Sequence, residues 1–421
     1  MNRYIVYIGH QARVAARKLA RLSTAVKNQA LLNVANALEE SQGEILLANR
    51  LDYQAGQQAG LSAAMLDRLL LNRERLAAIA ADVRNVASLP DPVGEQFDVR
   101  ALPNGLILGK RRVPLGVIGT IYESRPNVTV DIASLCLKSG NAVILRGGSE
   151  SIHSNTALSS LLRKAIADGG VPEDAVQFIE DTDRALVGQM LSMREYIDLI
   201  IPRGGAELIR RVAQEASMPA VTGGIGVCHT YVDRTADLDK AVDIALNAKV
   251  QRPTVCNALD TLLVHAQVAP TYLPQIANAW VRAGVEIHAD SRAMSILGSM
   301  ESHAILPATQ EDWGKEFLSL TAAVKVVDSL EEALEHIDRY SSGHTEAILT
   351  EDYSASMRFL DEVDAAVVMV NASSRFTDGG QFGLGTEVAI STNKMHARGP
   401  MGLRELTSYK WTVLGSGQVR S

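Results

Sequence analysis

Between Gln11 and Val86 apolar residues recur at three- and four-residue spacing, as in Leu19, Leu22 and Val26 and again in Leu31, Val34 and Leu38. That period marks one face of an α-helix, so the segment predicts several amphipathic helices forming an all-helical layer. From Phe97 to Val113 the pattern shortens to two extended runs about Pro103-Asn104-Gly105, and Asn-Gly between such runs predicts a hairpin. Beyond it, short apolar runs alternate with helical stretches. The strand candidates are Gly116 to Ile121, Ala142 to Leu145, Val176 to Ile179, Ile197 to Ile201 and Val227 to Val232. A second series follows near Leu259 to Val264, Ala323 to Val327, Glu346 to Leu349 and Ala366 to Val370, with a helical segment at Leu330 to Arg339. Alternation of this kind predicts an α/β fold with two mostly parallel sheets, each covered by helices on both faces. The expected organisation is residues 1–96 with 114–234 as one Rossmann-like domain and 235–385 as a second. A β segment of 97–113 with 404–421 completes it. The closing run Leu406 to Leu414, rich in Thr, Tyr, Trp and Val, suits a strand that pairs with the hairpin or with a neighbouring subunit.

Composition narrows the partners. The 421 residues are 47% hydrophobic and 21% charged, an ordinary globular balance long enough for two or three domains. A formal net charge of −7 offers no excess of cations for a phosphate backbone or an anionic membrane, so nucleic acid and membrane are not expected partners. The first ten residues hold too short an apolar run for a signal peptide, and no 18 consecutive residues are apolar, which predicts a cytoplasmic protein. Three cysteines far apart, Cys136, Cys228 and Cys256, without a C-x-x-C pair, fit free thiols and no metal site.

Cys256, in Gln251-Arg-Pro-Thr-Val-Cys-Asn257, differs from the other two because polar residues surround it, and a nearby cation favours the reactive thiolate. From local sequence it reads equally as a nucleophile or as a buried thiol. The run Val113 to Asn127 is a buried strand ending in Glu123, Ser124, Arg125 and Asn127, and ligands of α/β sheets bind beyond the carboxyl ends of strands. Asn127 could donate to an oxyanion or cap the next helix. Gly140 to Glu150 repeats strand, glycine loop and helix, with Arg146, Gly147 and Ser149 at the turn. Gly204 and Gly205, in Pro202-Arg-Gly-Gly, and Thr222-Gly-Gly-Ile-Gly have the same form. Each is either a nucleotide cradle or a tight turn, and the standard G-x-G-x-x-G fingerprint is missing.

In their order these elements resemble the aldehyde dehydrogenase superfamily: a Pro-x-Gly-Val strand leading to Asn127, a Gly-Asn-x-Val-Ile run with a basic residue, a Gly-Gly segment and then the cysteine. Within it the chain is similar to the γ-glutamyl phosphate reductase family. That likeness rests on Tyr122 to Asp131, Ile201 to Gly205, Gln251 to Asn257, Val327 to Ile348 and Asn371 to Gly383. The resemblance covers about Gln11 to Trp411. It implies the aldehyde dehydrogenase fold, with the first domain binding NADP(H), the second carrying the nucleophile and the β segment serving oligomerisation.

Residue by residue, the resemblance makes Cys256 the nucleophile, Asn127 the oxyanion donor, Arg146 the contact to the adenosine ribose and Glu316 the contact to the nicotinamide ribose. Dehydrogenases that release free acids carry a glutamate just before the Gly-Gly pair, whereas Ser217 to Val232 contains neither Asp nor Glu. A thioester without that base would wait for hydride or inorganic phosphate. Ser149 replaces an acid that NAD-preferring relatives set against the ribose, which points to NADPH, with Glu150 next door. The implied reaction is the NADPH-dependent reduction of L-glutamyl 5-phosphate to L-glutamate 5-semialdehyde, in proline biosynthesis. Arg125, Arg203 and Arg252 are candidate anion clamps, and His344, Thr345 and Glu346 would either meet the substrate ammonium or brace the site. A homo-oligomer and a separate glutamate 5-kinase are the implied partners. The rival readings are a free-acid-forming aldehyde dehydrogenase and a catalytically silent scaffold.

Overall fold

The computed structural model describes residues 2–221, 223, 225–298, 300 and 302–420. They divide into two compact units, one of Met1–Thr222, Gly383–Ala389 and Met401–Ser421, the other of Gly223–Phe382 and Ile390–Pro400.

The first unit opens with helices α1 (Arg3–Leu19), α2 (Thr24–Glu40), α3 (Gln42–Gln58), α4 (Ala63–Leu69) and α5 (Arg73–Ser88). The chain is already helical at Arg3, and Ile5, Ile8 and Gly9 are buried, so this opening stretch of helix packs one face into the core. Helix α2 packs on α5, and Lys27 on α2 is buried in an ion pair with Asp91 at 2.5 Å. Strands β1 (Gln96–Ala101) and β2 (Ile107–Pro114) form the hairpin, and β3 (Val117–Tyr122), α6 (Asn127–Lys138), β4 (Ala142–Gly147), α7 (Ile152–Asp168), β5 (Val176–Phe178), α8 (Ala185–Leu191), β6 (Leu199–Arg203) and α9 (Ala206–Glu215) follow. The four parallel strands run β5-β4-β3-β6. Every residue of β3 and β4 is buried, the continuous apolar reading of strands covered on both faces.

The second unit holds β7 (Cys228–Val232), α10 (Leu238–Val250), β8 (Leu259–His265), α11 (Ala269–Arg282), β9 (Glu286–Ala289), α12 (Ser291–Leu297), β10 (Ile305–Pro307), β11 (Thr321–Val327), α13 (Leu330–Tyr340), β12 (Thr345–Leu349), α14 (Tyr353–Glu362), β13 (Val367–Val370) and the short pair β14 (Ile390–Ser391) and β15 (Gly399–Pro400). Its seven-stranded sheet, order β10-β9-β11-β8-β7-β12-β13, is parallel throughout.

Two expectations change. Strand β7 lies near the centre of the second sheet, between β8 and β12, so the boundary expected at 234 moves back to Thr222 and Gly223. A strand carries no mark of which sheet it joins, because that is decided by long-range pairing. Strands β9 and β10 escaped the apolar reading because they are short and half polar, as in Glu286-Ile-His-Ala289.

The last strand, β16 (Thr407–Leu414), returns to the first unit and pairs antiparallel with β2 along its whole length, Thr407 opposite Pro114 and Leu414 opposite Ile107. Of the two pairings open to it from sequence, it makes the one with the hairpin. Val99, Ile107, Tyr409, Trp411, Val413 and Leu414 of this three-stranded sheet are exposed. Among the described residues no helix is long and apolar enough to cross a membrane, and no group of three or more His, Cys, Asp or Glu could hold a metal ion.

Candidate functional site

In the first unit the parallel register brings three strand ends side by side: Tyr122 on β3 lies opposite Gly147 on β4 and Arg203 on β6. The loops holding Glu123 to Pro126, Gly148 to Ser149 and Gly204 to Gly205 therefore leave the same edge of the sheet, where α/β folds bind ligands. Glu123 Oε2 accepts the N–H of Gly205 at 2.9 Å, and a Cβ at Gly204 would lie 2.4 Å from that oxygen. Ser124, held at φ +42°, donates from its backbone N and Oγ to Glu150 Oε1 at 2.6 and 2.7 Å. The acid beside Ser149 is thus committed to the neighbouring loop. Ser149 itself is exposed.

Arg146 is 8% exposed and folds along its own strand end, donating to the carbonyls of Gly147 at 2.9 Å and Thr182 at 3.1 Å. Its Nε is buried with no hydrogen-bond partner. A guanidinium with a buried N–H left unsatisfied, at the strand end from which the glycine loop leaves, is chemistry that fits a dinucleotide ribose or phosphate bound nearby. Gly147 also has a packing reason to lack a side chain, since a Cβ there would sit 2.1 Å from Asn155 Nδ2.

Asn127 is the first residue of α6, and Pro126 occupies the cap position, so the capping alternative does not hold. Its Nδ2 donates to Asp131 Oδ2, one turn along, at 2.8 Å. While Asp131 is ionised its carboxylate is met by the NH₂ end of the amide, which orients Asn127. Burial pushes the Asp131 carboxyl up to about 7, the bond from Asn127 opposes that, Asp82 adds to it and Arg203 opposes it. Asp131 lies within the resembling stretch Tyr122 to Asp131, but nothing in the sequence gives it a role. Arg125 and Arg203 are partly exposed at the same sheet edge.

In the second unit Cys256 lies in the turn between α10 and β8 and is partly exposed, whereas Cys136 and Cys228 are buried thiols raised far above their ordinary range by desolvation. Cys228 Sγ donates to the Cys256 carbonyl at 3.2 Å. Gly226 presses on the same peptide: a Cβ at 226 would lie 1.5 Å from the Cys256 oxygen. The N–H of Gly226 in turn donates to Glu316 Oε1 at 2.9 Å. Glu316 is partly buried and raised by that burial. Its neighbour Phe317 is pinned through its N–H to Asp260 Oδ1 at 3.1 Å, and Asp260 is 3.5 Å from the fully buried ammonium of Lys249. Thr222 and Gly224 of the glycine run lie outside the described residues.

Beyond Cys256 the turn is tied down. Asn257 Nδ2 donates to the Thr377 carbonyl at 2.8 Å, Ser374 Oγ donates to the Asn257 carbonyl at 2.7 Å, and Thr345 Oγ1 donates to Thr377 Oγ1 at 3.0 Å. His344 Nδ1 is 2.8 Å from the Thr345 hydroxyl. Glu346 accepts from the His229 N–H at 2.8 Å and from Ser341 Oγ at 2.5 Å, with His229 Nδ1 at 3.0 Å. His344, Thr345 and Glu346 are all fully buried, so of their two expected roles the geometry supports the brace and leaves no exposed surface for the substrate ammonium. Arg252 is exposed beside Cys256. A cation that sequence reading passed over, Arg375, sits in the 3₁₀ turn Ser374–Phe376 and donates through Nε to Gln251 Oε1 at 2.7 Å. It falls in the stretch Asn371 to Gly383, which the family resemblance marks without giving Arg375 a role.

Against known proteins, residues 5–309 match the model of the aldehyde dehydrogenase family. The γ-glutamyl phosphate reductase of Dehalococcoides mccartyi strain CBDB1 is 62% identical over 97% of this chain and 96% of its own length. That of Roseiflexus castenholzii is 56% identical over 98% and 99%. The crystal structure of the Thermotoga maritima γ-glutamyl phosphate reductase is 47% identical and superposes with a TM-score of 0.96, covering 99% of both chains. By family model, by sequence and by fold, the chain belongs to the aldehyde dehydrogenase family and, within it, to the γ-glutamyl phosphate reductases.

Proposed function

We propose that this chain reduces L-glutamyl 5-phosphate to L-glutamate 5-semialdehyde through a thioester on Cys256, with NADPH as reductant. The observation that carries the reading is the contrast among the three thiols. Cys136 and Cys228 are buried and desolvated, while Cys256 alone is partly exposed, on a turn braced from Gly226, Thr377 and Ser374. A nucleophile needs that combination of access and fixed backbone. The Cys256 thiolate attacks the γ-carbonyl, the carbon–oxygen bond to phosphate breaks and phosphate leaves with the electron pair. Asn127, oriented by Asp131, is the side-chain donor for the oxyanion, a role typically worth about 10²–10³ in rate. Bound NADPH would supply a hydride to the thioester carbon; the carbon–sulfur bond then breaks, Cys256 leaves as the thiolate with the electron pair, and the aldehyde is released.

The family is nicotinamide-dependent. Arg146, Gly147, Ser149, Gly204, Gly205 and Glu316 are the residues assigned to holding the cofactor, and the engagement of Glu150 by Ser124 favours a 2′-phosphate at Ser149. Oligomerisation through the exposed face of β1, β2 and β16, a cytoplasmic setting and supply of the acyl phosphate by a glutamate 5-kinase belong to the same proposal.

One observation favours a second reading. Glu316 brings a carboxylate to Gly226, against the Cys256 peptide, and a carboxylate there could activate water, as in a dehydrogenase that releases a free acid. Oxidation of glutamate 5-semialdehyde by NADP, run with and without phosphate or arsenate, separates the two. The proposal expects turnover only with the anion, and loss of it in Cys256→Ala without a change in Tm. Anion-independent oxidation would establish the second reading instead.

A further inference from the structure

The 3₁₀ turn Ser374–Phe376 is bonded to both ends of the turn that carries Cys256. Ser374 Oγ donates to the carbonyl of Asn257, and Arg375 Nε donates to Gln251 Oε1. The cationic side chain between these anchors therefore lies across a seven-residue turn whose sixth residue is the nucleophile. Arg375 is partly buried, and only its Nε edge is spent on Gln251, so the guanidinium turns its two Nη groups to its surroundings. The groups acting on it are Arg252, Asp378, Cys256 and Cys228, and burial together with the like charge of Arg252 lowers its pKa. Arg375 with the like charge of Arg252 near it, and Asp378 the acid acting on Arg375, form a positive centre that a divalent oxyanion would relieve.

We propose that Arg375, with Arg252 beside it, grips the phosphoryl group of the acyl phosphate and, in the reverse direction, the inorganic phosphate that attacks the thioester. The inference rests on the reading of Cys256 as the thioester-forming nucleophile. In the reverse step a phosphate oxygen bonds to the thioester carbon, the carbon–sulfur bond breaks and the thiolate leaves with the electron pair. The clamp would place the phosphate oxygens and neutralise their charge as one of them approaches the thioester carbon. Of the three arginines chosen from sequence, Arg252 is retained as the partner, and Arg375 is added to them.

The test is the phosphate-dependent oxidation of glutamate 5-semialdehyde by Arg375→Met and Arg375→Lys. Arg375→Met is expected to raise the KM for phosphate at least 10-fold while the KM for NADP stays within 2-fold. Arg375→Lys, which keeps a point charge without the fork, should recover part of that loss. A second measurement needs no turnover: inorganic phosphate should slow the alkylation of Cys256 by iodoacetamide in the parent protein and fail to do so in Arg375→Met. Unchanged phosphate KM and unchanged protection in a folded Arg375→Met would overturn the clamp. If that variant does not fold, an Arg375→Lys protein with the parent phosphate KM and parent protection overturns it equally. Oxidation by the parent protein without phosphate would instead bring down the thioester-exchange reading, and the clamp with it.

Discussion

The sharpest constraint on a single residue is at Gly226. Its φ is not in the left-handed region, so the demand is for space: any Cβ would enter the carbonyl of Cys256 and drive the nucleophile's peptide away from β7. Gly226→Ala is expected to cost about 3 kcal/mol by overpacking and to lower turnover more than 100-fold, checked by thermal melting and the phosphate-dependent assay side by side. A variant with parent activity would show that the turn relaxes freely. The sequence exposes this residue only as one glycine in a run of them, equally a cradle or a turn. Cys256 was legible because its neighbours are polar, and Asn127 because it ends an apolar run. Arg375 was not, because its place depends on a turn meeting the Cys256 segment from over a hundred residues away, a pairing no local pattern reports.

Among the elements, α13 and β12 carry charge-sensitive packing. His336 on α13 lies between Trp313, Tyr340 and His229, with ring centroids 5.4, 4.7 and 5.4 Å away, and its Nε2 is buried without a partner. Burial lowers it to about 3, and burial lowers His344 at the start of β12 to about 4. Both are neutral in the folded chain and take up protons on unfolding below the ordinary histidine value of about 6.5. The stability they contribute is present above about pH 6.5 and is lost as the pH falls toward 4 and then 3. The raised carboxyls of Asp131 and Asp260 act in the opposite sense, gaining stability on acidification. The informative quantity is therefore a difference: between pH 7 and pH 4.5 the Tm of His336→Phe should fall less than that of the parent. Parallel falls would mean that His336 is not held neutral. The periodicity of α13 was plain in the sequence, as was the run that forms β12. The identity of their neighbours was not, since a buried histidine and an exposed one are written alike.

For the whole molecule, the two α/β units and the hairpin could be foreseen because alternation and turn chemistry are local, whereas the assignment of β7 depended on strand order. The three-stranded sheet offers a direct test at this scale. Truncation before Thr407 removes β16 and leaves β2 as an unpaired edge over eight residues. If the chain assembles through this sheet as proposed, the shortened protein is expected to fall to the monomer mass or aggregate, measured by light scattering coupled to size exclusion. A truncated protein of unchanged molar mass would place the oligomer contact elsewhere.

The position of β16 also sets a schedule for synthesis. The first unit contains Met1–Thr222 but also Gly383–Ala389 and Met401–Ser421, so its N-terminal part leaves the ribosome long before the segments that complete it. The second unit is nearly continuous in sequence and can form while the first waits. During that interval β2 has β1 on one side and nothing on the other, and a nascent chain stalled before residue 407 presents an open strand edge. A stop before codon 407 therefore yields a polypeptide with that edge permanently open, although every residue named for catalysis precedes it.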